Sequence, residues 1–150
     1  MIRNTTRNQK LGWVLFIAYL ALLVYFLIFS ESLGRDASQR DYAYNLELFK
    51  EIRRFYVYRK QLGMGAFLLN VFGNMPCGFF LPIVSRRSRK WYNTVLLGFL
   101  LSLSVETLQL VLRVGSFDVD DLLLNTLGGG LGYIVNRMIQ KERIRRKKVA

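Results

Sequence analysis

Four stretches of the chain are rich in apolar residues and long enough to cross a bilayer, which takes roughly 20 residues in a helix. They cover about residues 11–29, 64–84, 92–112 and 121–138. The first contains no charged residue, and a few polar side chains interrupt the other three. Polar side chains at membrane depth normally face the interior of a helix bundle. The pattern predicts an all-α fold: an integral membrane bundle of four transmembrane helices in a single domain.

The first stretch has a competing interpretation as the core of a signal peptide, which is usually about 7–15 residues long and ends at a small-residue cleavage site. Here the apolar run is longer and leads into Ser-Glu-Ser-Leu-Gly, which is a poor cleavage site. We therefore expect this helix to remain in the membrane.

Lysine and arginine are distributed unevenly around the predicted spans. Fourteen of them lie near the two termini and between the second and third spans. The other two loops carry eight, together with seven Asp and Glu residues. Because basic residues accumulate on the cytoplasmic side of a membrane, we expect both termini, including the basic tail 139–150, to be cytoplasmic.

The amino-acid composition excludes several kinds of metal and catalytic site. The chain has 22 Lys and Arg, 10 Asp and Glu, no His and one Cys, Cys77. A His-ligated metal, a Ser-His-Asp triad and an intramolecular disulfide are therefore excluded. Three basic blocks adjoin predicted spans, so the net charge of +12 requires no nucleic-acid partner. We expect no cofactor, and the lipid bilayer as the main partner.

The loop between the first two spans contains apolar residues at helical spacing among basic ones. This pattern favours a short amphipathic helix on the outer surface, and a solvated loop is the alternative. Likewise, the C-terminal tail either only fixes the topology or also binds anionic lipid headgroups. The apolar positions of the loop are Leu48, Ile52, Phe55 and Tyr56.

Polar residues of three spans are expected at one depth, because a helix rises 1.5 Å per residue and alternate spans run in opposite directions. This layer lies in the outer half of the predicted bundle. We regard it as the candidate functional cluster, which binds a ligand or takes part in function. Its members are Asn70, Asn74, Glu106, Gln109, Arg113, Asp118, Asp120, Asp121 and Asn125.

Helical spacing places polar and small residues on one stripe of each of the last two spans. The third-span stripe is Gly98, Ser102, Glu106, Gln109 and Arg113, and the fourth-span stripe is Asp121, Asn125, Gly128, Gly132 and Asn136. Glycines at this spacing allow close helix packing, so we expect the two stripes to pack together. Glu106 would then lie within reach of Asn125 or Arg113.

Each part of the cluster also has a structural interpretation. Amides and carboxylates in a bundle can serve only as interhelical hydrogen bonds, although asparagine would suffice for that and a carboxylate is costly in lipid. In Phe-Asp-Val-Asp-Asp, Asp120 or Asp121 can cap the fourth helix. Because one residue suffices for a cap, Asp118, Asp120 and Asp121 are also a possible site for a hard cation.

The segment from Ser104 to Tyr133 resembles the VanZ-like family of small bacterial membrane proteins. It contains Glu-x2-Gln, Phe-Asp-x-Asp-Asp, Leu-Asn-Thr-x-Gly-Gly and Gly-Tyr in the order of the family signature. Matched positions are Glu106, Gln109, Phe117, Asp118, Asp120, Asp121, Asn125, Thr126, Gly128, Gly129, Gly132 and Tyr133. We also expect Gly129, next to Gly128, to take part in helix packing.

A second family motif, an Asn ahead of Pro-x-Gly-x3-Pro, matches Pro76, Gly78 and Pro82. Family members commonly have several residues between Gly-Asn and Pro-x-Gly, whereas here Asn74 is followed directly by Met75 and Pro76. Either Asn70 or Asn74 therefore fills the motif position.

The resemblance implies a protein of the bacterial cytoplasmic membrane with a role in the cell envelope, since the family is named for a protein associated with teicoplanin resistance. It transfers no catalytic residue, which disfavours an enzyme. We expect the polar cluster to bind a lipid-linked cell-wall intermediate, an anionic lipid or a glycopeptide. The alternatives are a metal-assisted enzyme that acts on a lipid-linked phosphate, and a small oligomeric transporter.

Overall fold

A computed structural model describes residues 7–32, 42–50, 53, 61–113 and 115–149. This part of the chain contains four long helices, which confirms the all-α fold class. They are α1 (Arg7–Ser32), α2 (Gln61–Val84), α3 (Trp91–Leu112) and α4 (Val119–Val149). Two short strands, β1 (Tyr44–Asn45) and β2 (Phe117–Asp118), pair in parallel.

Two of the helices are long and apolar enough to cross a membrane. These segments are Phe67–Val84 in α2 and Trp91–Leu112 in α3. In the described residues the apolar part of α1 is shorter, Gln9–Tyr25. The segment 121–138 of α4 does not meet the same criterion, because Asp, Asn, Arg and several glycines dilute its apolar residues. Length and composition therefore support two of the four expected spans.

Successive helices run in opposite directions. Gly12, near the start of α1, contacts Ile83 at the end of α2. Ser102 in the middle of α3 bonds to Asn125, and Glu106 further along bonds to Asp118 ahead of α4, so α3 and α4 are antiparallel. The start of α1, the turn between α2 and α3, and the extension of α4 consequently lie at one end of the bundle, which carries most of the basic residues.

The closest packing in the bundle is between α2 and α4, which run parallel. A Cβ added at Gly128 would lie 2.1 Å from the carbonyl oxygen of Val71, and one at Gly132 would lie 1.9 Å from that of Met75. A Cβ added at Gly78 would lie 1.7 Å from the carbonyl oxygen of Gly129. The expected close approach at these glycines is present, but their partner is α2 rather than α3.

The reason for this pairing is on α2. Gly78 leaves room for the backbone of α4, and Asn70 and Asn74 provide hydrogen bonds to the same helix. Helix α3 contacts α4 beside this seam, where Ser102 meets Asn125. The α3 stripe therefore does reach α4, through polar side chains and not through the glycines.

Many apolar side chains are exposed and several polar ones are buried, which is the reverse of the pattern in a soluble protein. Many large apolar side chains of α1, α3 and α4 are exposed, including Val14, Ile17, Val111 and Ile134. Several polar side chains are buried, as expected where the surroundings are lipid and polar groups must find partners inside the bundle. The buried polar residues are Ser88, Thr94, Ser102, Glu106, Gln109, Asp118, Asp120, Asn125 and Asn136.

The amphipathic segment expected in the first loop falls mostly outside the described residues. Ile52, Phe55 and Tyr56 are among those not described, so a helix across these positions stays a prediction. Leu48 is described, and it lies in an exposed turn.

Candidate functional site

The expected polar layer lies at the end of the bundle where α3 ends and α4 begins. The Glu106 carboxylate accepts a hydrogen bond from the backbone N–H of Asp118, at 3.0 Å between Oε2 and N. This bond joins the last two turns of α3 to the residue just before α4. Glu106 is only 4% exposed, so its carboxylate lies within the cluster rather than at its edge.

Asp118 caps α4 and also holds a distant segment. Its Oδ1 accepts the backbone N–H of Asp120 at 2.8 Å, which is the usual bond from an N-cap side chain to the second residue of a helix. Its Oδ2 accepts the side-chain amide of Asn45 at 3.1 Å. The expectation that Asp120 or Asp121 caps the helix is therefore wrong in its residue, since α4 begins at Val119, ahead of both of them.

Asp120 is fully buried and connects α4 to the same distant segment. Its Oδ1 accepts the backbone N–H of Phe49 at 2.5 Å. Phe49 has a left-handed backbone conformation, with φ of 66°, which is unusual for a bulky residue. The carboxylate thus fixes a strained position of the loop. Asp120 and Asp121 also lie in the first turn of α4, where negative charge favours the positive end of the helix dipole.

The two asparagines of α2 each meet a residue of α4. The Asn70 amide donates to Oδ1 of Asp121, and the Asn74 amide donates to Oδ1 of Asn125 at 2.6 Å. The Asn125 amide in turn donates to the hydroxyl oxygen of Ser102 at 2.9 Å. Both candidates for the family motif position therefore bond to the helix that carries the main signature, one turn apart.

Of the two remaining α3 residues predicted for the polar layer, Gln109 lies on the buried face and Arg113 does not. Gln109 lies on the buried face of α3 together with Ser102 and Glu106, as the spacing predicts. Arg113 is exposed, because α3 ends at Leu112 and Arg113 adopts a left-handed conformation that leaves the helical stripe. Its guanidinium carbon lies 4.4 Å from the centre of the Tyr42 ring, which is a cation–π contact.

A cation site at the aspartates gains no support from this geometry. Within the described ranges, no three or more His, Cys, Asp or Glu side chains are grouped so that they could hold a metal ion. The carboxylates of Asp118, Asp120 and Asp121 instead accept hydrogen bonds from protein amides. A metal site there stays a prediction.

Sequence reasoning missed the segment around Asn45 as part of this cluster. The segment is joined by the β1–β2 pairing, the Asn45 amide and the Phe49 N–H. The residues around Asn45 contain no motif that assigns this segment to the cluster. Which polar residue it meets depends on a contact across 73 positions, which no local pattern reveals.

We refer to the following residues as the outer polar cluster: Asn45, Asn70, Asn74, Ser102, Glu106, Asp118, Asp120, Asp121 and Asn125. Four carboxylates and four amides converge here from three helices and one loop. Such a set offers acceptors to hydroxyl and amide groups, and it contains no Lys or Arg. It is suited to a neutral or cationic polar group more than to a bare phosphate.

A second, smaller set of polar contacts lies at the opposite end of the bundle. The Asn136 amide donates to the carbonyl oxygen of Phe79 at 2.8 Å, and the Gln140 amide donates to Asn136 at 2.5 Å. The Tyr133 hydroxyl donates to the carbonyl oxygen of Arg89 at 2.8 Å. The Asn136 bond joins α4 to α2, the Tyr133 bond joins α4 to the turn before α3, and the Gln140 bond lies within α4. None of the three involves a carboxylate.

Comparison with protein-family models gives one match, described as VanZ/LLP1, over residues 16–140. The match includes the whole outer polar cluster and the glycine face of α4. Comparison with curated proteins and with solved structures gives no match.

Proposed function

Because the chain belongs to the VanZ/LLP1 family, we propose that it is a multi-pass protein of the bacterial cytoplasmic membrane that binds an envelope ligand. The ligand class is a lipid-linked cell-wall intermediate or a glycopeptide, bound at the outer polar cluster. Through this binding the protein contributes to tolerance of teicoplanin-type glycopeptides. No reaction is part of the proposal.

The membrane location is supported by two apolar helices of spanning length and by the exposed apolar side chains. The orientation of the bundle in the membrane is supported by two observations. Successive helices alternate in direction, and the basic residues are concentrated at one end. The N-terminal residues Arg7 and Lys10, the turn 86–90 and the extension of α4 share one end of the bundle. Basic residues favour the cytoplasmic side, so both termini are cytoplasmic and the outer polar cluster faces outward.

One observation carries the binding role: four carboxylates are grouped at the end of apolar helices, and three of them are buried. Interhelical adhesion alone requires only amides, which are much less costly than ionised groups in this environment. At the opposite end, among the described residues, Asn136 and Tyr133 form the hydrogen bonds between α4 and its neighbours, and neither bond involves a carboxylate. The contrast between the two ends favours a role for the carboxylates beyond packing.

Native mass spectrometry of the detergent-purified protein tests the proposal. We expect the wild-type protein to carry a lipid-linked saccharide peptide, or to bind added teicoplanin. Glu106→Gln should lower the bound fraction, because the amide removes the charge while keeping the shape of the side chain. Gln140→Ala, at the other end of α4, is the matched control and should bind as wild type does. Equal occupancy in all three proteins would contradict a ligand site at the cluster.

A further inference from the structure

The segment Tyr42–Lys50, which we call the strap, crosses the end of the bundle above the outer polar cluster. Three contacts fix it there. The Phe117 N–H donates to the Ala43 carbonyl oxygen at 3.0 Å, the Asn45 amide donates to Asp118, and the Phe49 N–H donates to Asp120. The backbone of the strap therefore has a defined position relative to β2 and the start of α4.

The side chains of the strap divide between two faces. Successive residues of an extended segment point to opposite sides, so Tyr44 and Leu46 point away from the cluster that Asn45 faces. Tyr44 is 67% exposed and Leu46 is 65% exposed. Tyr42, Leu48 and Phe49 are exposed as well. Five large apolar or aromatic side chains are thus exposed within eight positions, and exposed apolar patches usually mark a contact surface.

One end of the patch adjoins the end of α3. Tyr42 is held by Arg113, and Arg113 directly follows the exposed residues Val111 and Leu112. Because Trp91–Leu112 is long and apolar enough to span a membrane, its last residues lie where the hydrocarbon ends. The strap is therefore at the depth of the lipid headgroups, where Tyr side chains are enriched.

The charged residues around the strap also fit a position at the level of the lipid headgroups. Lys50, Arg53 and Arg113 are exposed and cationic, and they flank the apolar patch. An apolar patch with basic residues beside it is typical of segments that lie in the membrane interface, where the cations meet lipid phosphates. The only acidic residue exposed on the strap, Glu47, is paired with Lys50 at 3.4 Å.

We propose that the strap docks onto the phospholipid of the adjacent leaflet. Tyr44 and Leu46 enter the boundary between headgroups and acyl chains, while Lys50, Arg53 and Arg113 face the phosphates. The strap is thus held from two sides, by the cluster through its backbone and Asn45, and by lipid through its apolar side chains. This inference concerns the membrane and holds whether or not the cluster binds a ligand.

A tryptophan reporter tests the docking in proteoliposomes of phosphatidylcholine and phosphatidylglycerol. Trp13 and Trp91 are replaced by Phe, and Leu46→Trp is introduced on the strap. Lipids brominated near the headgroup should quench this reporter at least about twofold more than they quench Ile144→Trp, since the basic extension of α4 lies beyond the bilayer. Val111→Trp is the positive control for a side chain in lipid.

Tyr44→Trp provides a second reporter that keeps an aromatic side chain, in case Leu46→Trp folds poorly. Aqueous acrylamide is the complementary quencher. If both strap reporters are quenched by acrylamide as strongly as Ile144→Trp and are unaffected by brominated lipid, the strap lies in water or against another protein, and the inference is overturned.

Discussion

The side-chain nitrogen of Asn74 lies 2.6 Å from Oδ1 of Asn125, so these residues join α2 to α4. Asn125 also donates to Ser102 of α3 and therefore joins α4 to both α2 and α3. One turn earlier, the Asn70 amide of α2 likewise donates to Asp121 of α4. One turn later, the backbone of Gly78 meets that of Gly129 without side chains. The α2–α4 seam thus changes from polar to close-packed along its length.

Asn125→Ala should destabilise the protein by about 1–3 kcal/mol, because it removes two interhelical hydrogen bonds, each worth about 0.6–1.7 kcal/mol. Thermal or denaturant unfolding in detergent measures the change. Thr126→Ala is the matched control, since the Thr126 hydroxyl bonds only within its own helix, to the Leu122 carbonyl. If both variants unfold alike, the bonds of Asn125 contribute little to the bundle.

Gly132→Ala should destabilise the protein by about 1–3 kcal/mol, which is typical of overpacking. The added Cβ would lie 1.9 Å from the carbonyl oxygen of Met75, so the two helix backbones must separate. Gly130→Ala is the control, because nothing lies within 4 Å of a Cβ at Gly130. This control should be neutral or stabilising by up to about 1 kcal/mol, as alanine favours a helix. Unfolding of both variants at the wild-type midpoint would rule out packing through this glycine face.

Phe49→Gly and Phe49→Ala should differ in the local stability of the strap, although both substitutions remove the ring. The left-handed conformation at φ of 66° is readily adopted by glycine and is strained for alanine. We expect the strap of the glycine variant to be more stable than that of the alanine variant by about 1 kcal/mol. Hydrogen exchange of the strap amides reads this difference locally. Equal exchange rates would mean that the strap does not hold this backbone conformation.

Glu106→Gln should fold at least as stably as the wild type, since it removes a buried charge and keeps an oxygen that can accept the Asp118 N–H. Tolerance of teicoplanin or of envelope stress should nevertheless fall in cells that depend on the protein. Asp120→Asn should act in the same direction, whereas Glu142→Gln, on the exposed extension of α4, should not. A stable and fully active Glu106→Gln protein would leave Glu106 with a structural role only.

The two ends of the bundle should be on opposite sides of the membrane. In a Cys77→Ser background, Ser116→Cys should react with an impermeant thiol reagent added to intact cells, because Ser116 is exposed between α3 and α4. Arg143→Cys, at the basic end, should react only after permeabilisation. The reverse pattern would invert the proposed orientation.

Local periodicity was enough to identify the buried face of α3. Thr94, Gly98, Ser102, Glu106 and Gln109 recur at helical spacing and are all buried. The same reasoning failed at Arg113, because a stripe continues only as far as the helix does. Arg113 takes the left-handed cap conformation and turns toward Tyr42. Helix ends depend on capping geometry, which the apolar and polar pattern only approximates.

The order of residues was enough to predict the helical class, the family and the convergence of polar residues from three helices, since these follow from the motifs and from a fixed helical rise per residue. The folded chain was needed to show that the glycines of α4 pack on α2, and that Asn45 joins Asp118. In both cases the local sequence pattern is equally compatible with other contact partners. They are settled by backbone fit at Gly78 and by the hydrogen bonds that buried amides and carboxylates require once water is excluded.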